Sequence, residues 1–163
     1  MNCRKLGIGL LLALVNCLAV GPAAAATATT TFQVTTNVNA VCSIQATALT
    51  FPNYTVVQLD GQSQITLVCT NTTQWNVGLD AGTFPGASVT TRAMTGPTGF
   101  HINYALFTDP ARTTNWGNTV GTDTVSGVGN GATEIVNVYG RIPASQTPAL
   151  GGYADTITAT ITF

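Results

Sequence analysis

Hydrophobic and polar positions alternate most cleanly at the end of the chain. From Tyr153 to Phe163, the residues Tyr153, Ile157, Ala159, Ile161 and Phe163 fall on one parity, and Thr156, Thr158, Thr160 and Thr162 on the other. A strand sends successive side chains to opposite faces, so this stretch predicts a half-buried β-strand with a threonine-rich outer face. Threonine suits that face because its β-branched side chain favours extended backbone while its hydroxyl stays in water. Nothing follows Phe163 to pair with the strand, so it is expected at a sheet edge, open to addition of another strand.

The same period of two recurs along the chain. Phe32, Val34, Val38 and Cys42 share a parity opposite Gln33, Thr35, Asn37 and Asn39. Two readings of that stretch stay open: one first strand of the domain's own sheet, or an N-terminal extension near 29–38 followed by a first strand near 40–46. Leu49, Phe51 and Tyr54 around Pro52-Asn53 predict a short strand entering a turn, and Asp60-Gly61 a second turn. Further strands are expected at Ile65 to Cys69, at Trp75 to Leu79 and at Ser88 to Met94. Phe100 to Phe107, apolar on both faces, predicts a central strand, and Thr133 to Ile142 another; the glycine-rich 111–132 predicts loop with one short strand. No segment sustains an apolar 3.6 period. Seven or so short strands with regular turn signals predict an all-β sandwich in one domain.

The first residues predict no fold. Arg4 and Lys5 precede an apolar run from Leu6 to Val20, broken by Gly21-Pro22 and followed by Ala23 to Ala26. This is the pattern of a secretory signal, with residues 1–26 removed; an uncleaved anchor fits less well, and so does lipid attachment at Cys17 after Asn16. Without them the positive charges are Arg92, Arg112 and Arg141 against six carboxylates, a net charge of −3 with no lysine. That balance gives no footprint for nucleic acid or anionic lipid, and it excludes lysine-linked covalent polymers. Only 7% of residues are charged, so the usual lysine guard on edge strands is missing and association is expected.

Two cysteines remain, Cys42 and Cys69, and in an exported chain they predict a disulfide between neighbouring strands or facing sheets. Two thiols without a matched pair of ligands make no metal site. The lone His101 lies in an apolar run and predicts a packed or edge histidine, not a catalytic base. Asp60, Asp80, Asp109 and Asp123 sit near turns, where aspartate bonds local backbone in preference to calcium. Ser126-Gly127 lacks the preceding glycine of a nucleophile elbow. Asn53-Tyr54-Thr55 and Asn71-Thr72-Thr73 match a glycosylation triplet that is common by chance in threonine-rich chains. No enzyme, cofactor or small-molecule substrate is expected.

Gly151 to Ile161, Val138 to Pro143, Thr31 to Val34 running to Val41-Cys42-Ser43-Ile44, and Leu49-Thr50-Phe51 with Tyr54 together resemble the spore coat protein U domain family. That family includes pilins of the archaic chaperone–usher pathway, and the similarity spans essentially all of the chain after residue 26, loosely in 85–132. The resemblance implies an incomplete immunoglobulin-like β-sandwich over 40–163 that lacks its final strand. It implies a donor-strand extension over 27–39, with Phe32, Val34 and Val38 as its inward face. It implies an acceptor groove lined partly by Ile157, Ala159, Ile161 and Phe163. The partners it implies are neighbouring pilin subunits, a periplasmic chaperone and an outer-membrane usher, with export through the periplasm to a surface fibre serving adhesion and biofilm formation. A secreted spore or cell-surface coat protein of the same fold, and a monomeric secreted binding module, are the alternatives.

Overall fold

The computed structural model describes residues 24–163, so most of the expected signal segment 1–26 lies outside the described residues. The chain divides into two units after Thr36. In the first, residues 24–36 carry no strand or helix and are exposed, Phe32 and Val34 each to 85%. The second, Asn37–Phe163, contains eight strands: β1 (Cys42–Ala46), β2 (Leu59–Cys69), β3 (Gln74–Leu79), β4 (Arg92–Thr95), β5 (His101–Phe107), β6 (Val125–Val128), β7 (Thr133–Ile142) and β8 (Ala159–Thr162). Five form one antiparallel sheet in the order β1-β2-β7-β5-β4, and three form another in the order β6-β3-β8.

The core lies where the inward parities of the two sheets meet. Ile65 and Leu67 of β2, Ile102, Tyr104 and Leu106 of β5, and Val138 and Ile142 of β7 face Trp75, Val77 and Leu79 of β3. A period-two pattern places every second residue on that side, and burying each large aliphatic side chain is worth about 1.5–3 kcal/mol. Trp116 completes the core from a loop. It is fully buried, with its indole N–H donated to the Val77 carbonyl at 2.9 Å. Cys42 and Cys69 are directly opposite each other on β1 and β2 and form the disulfide, the neighbouring-strand alternative.

Four sequence expectations shift. The closing strand is assigned only over Ala159–Thr162, although burial still alternates from Tyr153 to Thr162; the earlier half lacks a continuous partner strand. Asp60-Gly61 is no turn but lies within β2. Asp60 bonds Arg141 directly across on β7 at 2.7 and 2.9 Å, and Gly61 faces Gly140. Those two glycines leave room for Leu49 and Phe51, whose side chains lie only 2.8–3.2 Å from where a Cβ atom would stand. Leu49 to Tyr54 is accordingly held by side-chain packing and is no strand. The strand expected at Ser88 to Met94 begins at Arg92, after a tight Ser88–Thr91 bridge.

Candidate functional site: an open groove in the sandwich

Between the segment following β1 and the segment preceding β8 the sandwich is open. Ala46 to Tyr54 forms one wall, and Pro148 to Ile157 with Ala159 the other; Ile65, Leu79, Ile102, Leu106 and Val138 form an apolar floor. The groove holds about 1160 Å³. A sandwich core is normally covered by side chains from both sheets, so an apolar floor in an open trough is a place where a further element would fit.

The backbone of the second wall has a bonded side and a free side. Ala154 exchanges hydrogen bonds with Thr95 of β4 at 2.9 and 3.0 Å. The Thr158 carbonyl accepts from the Asp80 N–H at 3.1 Å, and the Thr158 N–H donates to the Asp80 carboxylate at 2.9 Å. Thr160 pairs with Gly78. Among the described residues the N–H and C=O groups of Asp155 and Ile157 have no backbone partner. Because consecutive residues of an extended chain direct these groups to opposite sides, Asp155 and Ile157 offer a strand edge toward the groove.

Of the expected acceptor residues, Ile157 and Ala159 lie in the wall. Ile161 pairs with Val77 and packs against the core, and Phe163 is half exposed beyond β8; neither lines the groove. Of the expected donor residues, Phe32 and Val34 belong to the exposed 24–36 stretch. Val38, in the second unit, is 84% exposed. The three apolar positions share one parity and stand in water.

The groove's lining contains one carboxylate, Asp155. The Tyr104 hydroxyl donates to Asp155 Oδ2 at 2.7 Å, and Asp155 Oδ1 accepts from the Thr83 N–H and hydroxyl at 2.8 Å and from the Thr156 N–H at 2.8 Å. Burial by itself would raise the Asp155 carboxyl. The hydrogen bonds from Thr83, Tyr104 and Thr156 outweigh it and hold the group below the usual aspartate value. Burial, with the bond to Asp155, pushes the Tyr104 hydroxyl well above the usual tyrosine range, so it stays protonated. The expected donor–acceptor pattern omitted this pair. Its one sequence signal is a carboxylate on the apolar parity between Tyr153 and Ile157.

Nothing near the groove resembles a catalytic constellation. His101 is exposed, with its ring 4.8 Å from that of Phe84. Asp109 is tied to the N–H groups of Thr113 and Thr114 at 2.7–3.1 Å. Among the described residues no three His, Cys, Asp or Glu side chains gather as metal ligands.

The sequence and the fold are similar to those of known proteins. The chain is 34% identical to "Protein U" of Myxococcus xanthus, over 100% of both chains. It superposes with a TM-score of 0.57 and 24% identity on a chain in the crystal structure of the CsuC–CsuE chaperone–tip adhesion subunit pre-assembly complex, from archaic chaperone-usher Csu pili of Acinetobacter baumannii. That match covers 77% of this chain and 40% of the other, so this chain spans less than half the length of its structural counterpart. The Spore Coat Protein U domain model matches residues 28–160, and the chain belongs to that family.

Proposed function

We propose that the protein is a structural subunit of a non-covalent surface fibre, in which residues 29–38 of one copy fill the groove of the next. The observation that carries this reading is the groove's free strand edge above an apolar floor, together with an exposed stretch in the same chain whose apolar residues have strand spacing. Main-chain bonds to Asp155 and Ile157 would supply affinity, and Phe32, Val34 and Val38 would fill the trough. Ladder hydrogen bonds at about 0.5–1.5 kcal/mol apiece go against an ordering cost of roughly 1–2 kcal/mol per residue, and burial of the three side chains, about 1.5–3 kcal/mol each, decides the balance. The joint is heterologous, with a donor face and an acceptor face that differ, so it propagates as an open filament.

A groove this apolar needs cover before the fibre forms. A periplasmic chaperone would lend a strand to it, and an outer-membrane usher would exchange that strand for the next subunit's extension. The likeness to a chain of the Csu chaperone–subunit complex supports this route, as does the signal pattern at the N-terminus. The fibre would serve adhesion and biofilm formation at the cell surface. A second reading, a coat layer built through the same joint, is supported by the match to the Spore Coat Protein U domain model.

Val34→Asp is the test. A charge on the inward face should abolish fibres seen by electron microscopy and the ladder of unboiled gels, while the domain stays soluble with its chaperone. Fibres of normal length from this variant would refute the reading.

A further inference from the structure

The inward parity of the extension carries Phe32, Val34 and Val38 but also a polar residue, Thr36, between the last two. The groove has hydroxyl and amide residues along its length, Thr47, Thr50, Asn53, Ser63 and Thr156, but its one carboxylate is Asp155, bonded to the Tyr104 hydroxyl of the floor. We propose that the Tyr104–Asp155 pair is a register key, read by the Thr36 hydroxyl of the incoming strand. This rests on the donor-strand reading above.

The chemistry of the pair leaves room for a hydroxyl. Tyr104 gives its only proton to Asp155 Oδ2 and keeps a free lone pair, and Oδ2 accepts from no other group among the described residues. A strand that covers the pair strips it of water, so an apolar side chain at that point leaves acceptor capacity buried and unmet, whereas a hydroxyl restores a bond.

Setting Thr36 opposite Asp155 in an antiparallel ladder fixes the remaining contacts. Val34 meets Ile157, Val38 meets Tyr153, and the large Phe32 meets the small Ala159. Parallel pairing with Thr30 opposite Asp155 also matches polar to polar, but it sets Phe32 against Ile157 and turns the donor's body toward Phe163. The rim of the groove separates the two. Only residues 39–41 lie between Val38 and β1, and four Cα steps reach at most about 14 Å. In the antiparallel register the donor's body therefore abuts the end of the groove beside Tyr153. At that end loops 54–57 and 143–150 are joined by hydrogen bonds from the Tyr54 hydroxyl to the Pro143 carbonyl and from the Ser145 N–H to the Val56 carbonyl, each 2.9 Å. Those loops expose Val56, Val57 and Leu150, the last to 100%, and the donor's own Val41 is exposed to meet them.

The test measures the concentration at which the purified mature chain begins to form fibres. Thr36→Ser should leave it near the native value and Thr36→Val should raise it about tenfold. An unchanged value for Thr36→Val, or equal loss in both variants, overturns the register key; the joint itself falls only if Val34→Asp also assembles. Register is then read by cross-linking. Asn37→Cys with Ala154→Cys, directly opposite on the outward face, should give a covalent ladder on oxidation, and Thr29→Cys with Ala154→Cys none. The reverse result, or no ladder from the first pair, overturns the antiparallel register.

Discussion

Arg92 ties the end of β3 to three neighbouring loop positions. Its side chain is fully buried, and it donates to the carbonyls of Asp80, Val89, Leu79 and Trp116 at 2.6–3.0 Å. One planar guanidinium thus satisfies three loop carbonyls and that of Leu79 at the end of β3. Burial draws its pKa down, opposed by the field of the Asp80, Asp155 and Asp123 carboxylates, and an arginine remains charged after such a shift. Nothing in the sequence marks it out from Arg112 or Arg141, because its acceptors are scattered from Leu79 to Trp116. Asp155 differs in that its parity betrays it. Its carboxyl is held below the ordinary value, so its contribution to stability is full above the unfolded value, about 3.9, and is lost as pH falls through the lower folded value. Asp155→Asn should therefore be less stable than the native chain near neutral pH, by a margin that shrinks on acidification below about pH 4. Urea midpoints measured across that range check this, and a margin independent of pH would contradict it.

At the scale of elements, the hydrophobic pattern located β7 and β5 closely, but β2, also paired on both edges, begins at Leu59 and not at Ile65. β7, between β2 and β5, spans the Thr133 to Ile142 expected from its pattern, and β5 starts one residue inside its expected range. Turn residues were the weaker guide. Asp60-Gly61 has the composition of a turn, but in β2 it serves an ion pair and a close approach by Leu49 and Phe51. The Leu49–Tyr54 and Tyr153–Thr158 stretches have strand-like sequence without complete ladders, for a shared reason: each borders the groove. Ile157 and Ala159 of the groove wall could be read from their parity, whereas Tyr104 could not, its partner being 51 residues away. β1 is an edge strand that leads into the first wall, pinned to β2 by Cys42–Cys69. Cys42→Ser with Cys69→Ser should cost about 3–4 kcal/mol for the 27-residue separation and should loosen that wall, so fibre yield should fall even where the chain still folds. Urea unfolding alongside a fibre pelleting assay separates the two effects.

For the whole molecule the decisive property is how little charge it carries. The stretch 27–40 contains no charged residue, and the groove carries a single carboxylate already met by three neighbours. Assembly through them has almost no Coulomb attraction to screen. Raising NaCl from about 0.05 M to about 1 M should change the elongation rate less than about twofold, by light scattering, and a tenfold fall would point to a charged interface elsewhere.

The free edge at Asp155 and Ile157 also bears on how such a fibre would respond to tension. Its bonds to an incoming strand would lie side by side across the direction of pull, so a load along the filament would stretch them together instead of peeling them one after another. A non-covalent chain of that kind would resist drag as a lap joint does, failing only when the whole overlap slides.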